Sequence, residues 1–366
     1  MNKYTRYIVI AIIIAIIGFS IYYLESQKVK ITTDDVKYED LFLKGASDMY
    51  PKAKEISSPD GFINTDSVKI ADHIGKDIIL VDFWTYSCIN CQRTLPYLNQ
   101  WQEKYGDKGL LIIGVHTPEF EFEKKYENVL AATKKYGIKY PVVLDNDYST
   151  WTAYGNRYWP RKYIIDLKGN IVYDHIGEGG YQETEMVIQK LLEERAKQLD
   201  QNLVIDKNIT TPQNAETVDF NRMQTPEIYF GANRNQWLDN GSVIIGETQT
   251  FVKPNIVKKN KIYLTGDWDF TSEYAVTKNT NSHIIIKYEA EKVFFVASSE
   301  TLNKVRVLQD GKEITVNAGE DVVNGVVEIE ADDLYRLVNN KDGSGEHTLE
   351  LIIEGPGLKA FTFTFG

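Results

Sequence analysis

Cysteine is nearly absent from this chain: 366 residues carry two, Cys88 and Cys91. A framework of structural disulfides is therefore excluded. Histidine is scarce at five copies. His283 and His347, the two in the C-terminal half, stand too far apart in sequence for metal-ligand spacing, and no metal is expected. Positive charge is in deficit, with 41 Lys and Arg against 52 Asp and Glu, a net charge of -11 and a pI of about 5.1. A nucleic-acid binder should show basic patches, so nucleic acid is not an expected partner.

Charge is also missing from Tyr7 to Leu24, YIVIAIIIAIIGFSIYYL. As a helix this run is about 27 Å long, enough to span a bilayer core. A cleaved signal peptide is the alternative. Against it, the run exceeds the usual apolar length, and bulky Tyr22, Tyr23 and Leu24 stand where small residues should mark cleavage. The expectation is an uncleaved single-pass anchor within residues 1–30, with the body on the extracytoplasmic side of the cell membrane.

Residues 31–60 are polar and read as a stalk. From 61 to 200 strand and helix signals alternate. IILVDFW (78–84) and LLIIGV (110–115) read as buried strands, with a helix from Cys91 to Tyr105 between them. One helix is expected over 121–136, a strand at YPVVLD (140–145), then a hairpin of KYIID (162–166) and IVYDHI (171–176), and a closing amphipathic helix. This order predicts an α/β sheet with helices on both faces. Residues 201–225 read as a linker. From 226 to 366 short alternating segments recur at roughly ten-residue spacing, among them SVIIG, HIIIKYEA, KVFFVAS and AFTFTFG, the pattern of an all-β sandwich.

The two cysteines form one C-x-x-C. Structural zinc needs four ligands, and no second pair exists. A local disulfide closes too short a ring to stabilise much. A redox-active dithiol fits the strand before it and the helix after it. With a helix starting near Ile89, Cys88 becomes its N-cap, where free amides and the positive dipole end favour a sulfur anion. Cys91 lies one turn inside. Cys88 then attacks a substrate disulfide, and Cys91 attacks Cys88 to release the product. Asp82, six residues before Cys88, would be desolvated on the buried strand and could take the Cys91 proton through a water. The alternative for Asp82 is a solvent-facing acid at a strand edge.

VDFWTYSCINC resembles the active-site strand and helix of the thioredoxin superfamily, where an aspartate six residues before the first cysteine, Phe-Trp and C-x-x-C recur. Asp82, Phe83, Trp84, Cys88 and Cys91 match. WTYSCINCQRTLPYL, GVHTPEFEFE, YPVVLDNDYSTWTAYGNRYWPRKYIID and HIGEGGYQETE are similar to its TlpA/DipZ-like branch and cover most of 62–200. The stretch from TPEIYFG to AFTFTFG resembles the module that follows in that branch, a jelly-roll sandwich likened to carbohydrate-binding modules. The resemblance implies a thioredoxin-like domain, thiol–disulfide oxidoreductase activity on protein disulfides, no cofactor, and a link to cytochrome c biogenesis. It implies a cis-proline at Pro160, and substrate contacts from Trp84 and Trp159. Many relatives carry a proline before the second cysteine and a glutamate three residues after it; here Asn90 and Thr94 stand there. The acid tuning Cys91 is then Asp82 or Glu119, the latter otherwise a solvated loop acid. His116 has the same two readings, site residue or packed histidine. With one candidate span, a reductive reaction would draw electrons from a separate membrane donor (CcdA/DsbD-like).

Two other functions compete. A thiol peroxidase would use Thr85, three residues before Cys88, with Arg157 or Arg161 polarising peroxide, but the proline expected before such a threonine is absent. A cell-wall glycan binder with a vestigial redox domain would use Trp237 and Trp268 as a stacking platform, although sandwich aromatics are more often core. Ile89-Asn90 between the cysteines lacks the histidine of strongly oxidising relatives, which favours the reducing direction.

Overall fold

The computed structural model describes residues 50–213, 215, 216, 218 and 224–366. The expected membrane segment and residues 31–49 of the stalk lie outside the described residues. Among the described residues no helix is long and apolar enough to cross a membrane. The described residues cluster as one compact unit.

The N-terminal part is a six-stranded sheet of β1 (Gly61–Ile63), β2 (Ile78–Trp84), β3 (Leu110–His116), β4 (Val142–Leu144), β5 (Arg161–Ile165) and β6 (Ile171–Ile176), in the order β1-β4-β3-β2-β5-β6. β2, β3 and β4 run parallel, and β5 and β6 return antiparallel beside β2. All seven residues of β2 are buried because the strand is central and covered on both faces. The helices are α1 (Ile89–Tyr105), α2 (Tyr126–Lys135), α3 (Ser149–Ala153) and α4 (Tyr181–Gln198). α1 buries Leu95, Leu98 and Trp101, an i, i+3 stripe that holds its N-terminus over the end of β2.

Two expectations change here. The single helix over 121–136 is broken into a 3₁₀ turn, Glu121–Lys124, and α2, with Lys125 extended between them. Glu123 causes the break: its carboxylate turns back to accept the Glu119 and Phe120 amides at 2.5 and 3.0 Å. The last residues of the supposed stalk are docked on the sheet instead. The Ala53 amide donates to the Gly169 carbonyl at 2.9 Å, and the Ile171 amide to that of Pro51 at 2.8 Å. The Glu55 carboxylate accepts the Ile70 and Ala71 amides.

The C-terminal part is all β. One core takes residues from both of its sheets, among them Ile286, Val307 and Leu351 on one side and Phe295, Leu337 and Phe363 on the other. The long strand Ile262–Phe270 pairs into both sheets. It bends at Gly266, where φ is +84° and a Cβ would lie 2.7 Å from the Ser282 hydroxyl. SVIIG forms no strand, and its Ile244 and Ile245 are exposed. Asp333–Asn339 is a strand the reading missed. A register shift between Val293 and Phe294 on its partner strand breaks the two-residue period, so Leu337 and Val338 are both buried.

The two parts meet beside the cysteines. Phe361 packs edge-on against Phe120 and Phe122, with centroids 5.1 and 4.8 Å away. Tyr86 donates its hydroxyl to the Asp332 carbonyl at 3.2 Å. Arg336 donates to the Gln92 side-chain carbonyl at 2.8 Å, and the Arg93 guanidinium lies 5.3 Å from the Phe294 ring. Residues on both sides of the cysteine pair are thus tied to the β part.

Candidate active site

Cys88 is the N-cap of α1, with extended backbone, and its sulfur accepts the Cys91 amide at 3.4 Å. The chain folds this way because the apolar run of β2 ends at Trp84, and the polar turn Thr85–Ser87 carries it to the helix start. Both thiols are free. Cys88 is partly exposed and Cys91 is fully buried. Burial pushes the Cys91 thiol well up, and the Cys88 sulfur and the Asp82 carboxyl add to this.

Asp82 is a core acid, 1% exposed, and not an edge residue. Neither of its carboxylate oxygens has a hydrogen-bond partner among the described residues. Burial pushes it up to about 7, against the pull of the Lys162 ammonium. In the sheet it stands between Gly114 on β3 and Lys162 on β5. Gly114 leaves room on this face: a Cβ there would lie 3.0 Å from the Trp84 indole nitrogen and 3.1 Å from the Tyr140 ring.

The Trp159–Pro160 peptide is cis, as the resemblance implied. Trp159 is half-buried; its indole donates to the Thr117 carbonyl at 2.9 Å and its ring packs 4.3 Å from that of Trp151. Trp84 differs from expectation. It is fully buried, edge-on to His116, so it supports the site from beneath and presents no surface to a substrate. His116 is a packed histidine, stacked on Tyr86 and held neutral because burial drops it to about 3.

Glu119 does not serve Cys91. Its carboxylate binds the Arg234 guanidinium at 2.7 Å and the Tyr229 hydroxyl at 3.0 Å, both in the β part. The acid that reaches the cysteine loop is Glu123, which the sequence reading missed. It is fully buried and accepts the Ser87 hydroxyl at 2.6 Å and the Ser87 amide at 3.3 Å. Burial, then the neighbouring Glu119 charge, push it up to about 7, while the Ser87 hydrogen bond favours the charged form. The faint sequence signal was Phe120 and Phe122 alternating with acids, which put Glu123 next to a buried side chain.

The other constellations do not assemble. Arg161 is engaged by Asp174 and lies over the Tyr163 ring, Arg157 is exposed, and the Thr85 hydroxyl is 3.4 Å from the His116 ring. Trp268 is fully buried, donating to the Thr265 carbonyl, and Trp237 is half-buried against the core. The two therefore form no open stacking platform. His283 and His347 pair with Glu350 and Asp310.

A family model described as Redoxin matches residues 51–191, and one described as Thioredoxin like C-terminal domain matches residues 225–366. Protein DipZ of Mycobacterium tuberculosis is 33% identical over 317 residues, 86% of this chain and 43% of that protein. The chain thus spans less than half the length of the DipZ proteins it matches. Thiol-disulfide oxidoreductase ResA of Bacillus thuringiensis is 30% identical over 135 residues, 36% of this chain and 74% of that protein. Thiol-disulfide oxidoreductase YkuV of Bacillus subtilis is 28% identical over 33% of this chain and 81% of that protein.

Proposed function

Since the chain belongs to the thioredoxin superfamily, in the TlpA/DipZ-like branch of its thiol–disulfide oxidoreductases, we propose that it reduces protein disulfides through Cys88 and Cys91. One observation carries this reading: a half-exposed sulfur at a helix N-cap, backed by a buried second thiol above an unpartnered carboxylate.

The Cys88 thiolate attacks one sulfur of a substrate disulfide R–S–S–R′. The S–S bond breaks, R′–S⁻ leaves and takes a proton from water, and Cys88–S–S–R remains. Cys91 gives its proton to the Asp82 carboxylate. The resulting thiolate attacks the Cys88 sulfur, R–S⁻ leaves, and the Cys88–Cys91 disulfide forms. The substrate has gained two electrons and the protein has lost two. An external dithiol, delivered by a separate membrane donor, restores the pair. Membrane anchoring through Tyr7–Leu24, an extracytoplasmic site and the reducing direction belong to this proposal. They rest on the uncharged run and on the Ile89-Asn90 dipeptide.

The test is insulin-disulfide reduction with a soluble dithiol, run beside peroxide consumption. Catalysed insulin reduction is expected; peroxide turnover without disulfide exchange would sink the reading. A reduction potential of about -270 mV for the pair supports a reductase, and one of about -120 mV an oxidant.

A further inference from the structure

Lys162 has no part in the mechanism so far, yet its side chain is fully buried. It stands directly opposite Asp82 in the β2–β5 register, so both side chains lie on the sheet face beneath α1. Its ammonium donates to the Gly177 carbonyl at 3.2 Å and lies 5.6 Å from the Tyr181 ring. A buried ammonium is costly without a counter-charge. Two carboxylates are near enough to act on it, Glu178 and Asp82. Glu178 is already bound to Arg93 at 3.1 Å. Asp82 is the carboxyl with no hydrogen-bond partner among the described residues.

Building on the reading that Asp82 accepts the Cys91 proton, we propose that Lys162 is a positioning residue for the second step. Its charge favours the ionised form of Asp82 beneath Cys91, against the burial that favours the protonated one, so that more of the chains hold a proton acceptor when the mixed disulfide forms. The groups facing this pair are Cys91 on α1, Tyr140 before β4, His175 on β6, Glu178 after β6 and Tyr181 on α4. None of these supplies a positive charge to Asp82. Burial holds Tyr140 and Tyr181 protonated and lowers His175. Without Lys162 only desolvation acts, and a desolvated carboxyl takes up its proton. The lysine also sits two residues past Pro160. Gly177 ties the two together, accepting from Lys162 while its own amide donates to the Pro160 carbonyl at 2.8 Å.

The experiment follows release of 2-nitro-5-thiobenzoate when the reduced full-length chain meets the symmetrical aryl disulfide. The first equivalent reports attack by Cys88, the second attack by Cys91. Lys162→Met should slow the second phase about tenfold or more at pH 7 and move its pH midpoint upward by about one unit or more, with the first phase nearly unchanged. Asp82→Asn should slow the second phase comparably, and Lys162→Met should then add nothing, because it acts through Asp82. If Asp82→Asn slows the second phase and Lys162→Met does not, the proposal is overturned while the Asp82 reading stands. If Asp82→Asn leaves it unchanged, that reading falls and the proposal falls with it. Equal slowing of both phases by Lys162→Met would mark a structural role and overturn the proposal. Should Lys162→Met fail to fold, the wild-type chain labelled with ¹³C at lysine Cε decides. Burial lowers the proton affinity of Lys162, against the pull of Asp82, Cys91 and Glu178; a Lys162 signal in the charged position at pH 7 is expected, and a neutral Lys162 at pH 7 overturns the proposal.

Discussion

Replacing Cys88 by serine lowers insulin-disulfide reduction by on the order of 10³-fold or more, to the rate of the soluble dithiol alone. Of the two thiols, that of Cys88 is partly exposed, and that of Cys91 has no surface to meet a substrate. Cys91→Ser has a different signature. First attack proceeds, but a serine hydroxyl cannot displace the substrate sulfur, so a covalent complex accumulates. Mass spectrometry should find one substrate thiol per chain, removed by added dithiol. A Cys91→Ser chain that turns over insulin at the wild-type rate would take Cys91 out of the mechanism.

Glu123→Leu should destabilise the chain by roughly 3 kcal/mol, because it leaves the Ser87 hydroxyl and the amides of Ser87, Glu119 and Phe120 buried without their acceptor. Urea unfolding followed by tryptophan fluorescence measures it. The loss depends on pH with a definite sign. Folding raises the Glu123 carboxyl from 4.5 to about 7. Between those values the folded chain binds more protons than the unfolded one, so this group's contribution falls as pH rises through the window. The leucine variant lacks that slope, and its deficit is larger at pH 5 than at pH 8. A deficit that grows with pH would show that the hydrogen bonds to the carboxylate outweigh its burial.

What could be read in advance was whatever depends on local pattern. β2 and the hairpin strand Ile171–Ile176 stand where their apolar runs put them. The cysteine pair on a strand-to-helix turn follows from spacing alone. The substrate contact that the resemblance implied for Trp84 fails because a shared motif fixes the position of a side chain in the strand but not what covers it. Lys162 and Glu123 were illegible for the same reason. A lysine second in RKYIID looks like the wet end of a strand until β6 is known to close its far side. Glu123 looks like one more acid in EFEFEKK until its carboxylate is seen to fold back on the cysteine loop.

The contact of Phe361 with Phe120 and Phe122 bears on how such a protein can be shortened. A chain cut after α4 would keep every catalytic group named above. It would also bare two aromatic rings on the segment that leads from the end of β3 to Glu123. A surface of that kind, next to a reactive sulfur, favours self-association and sulfur-to-sulfur cross-linking between copies. By covering those two rings, the β part would keep the sulfur of one copy from meeting that of another.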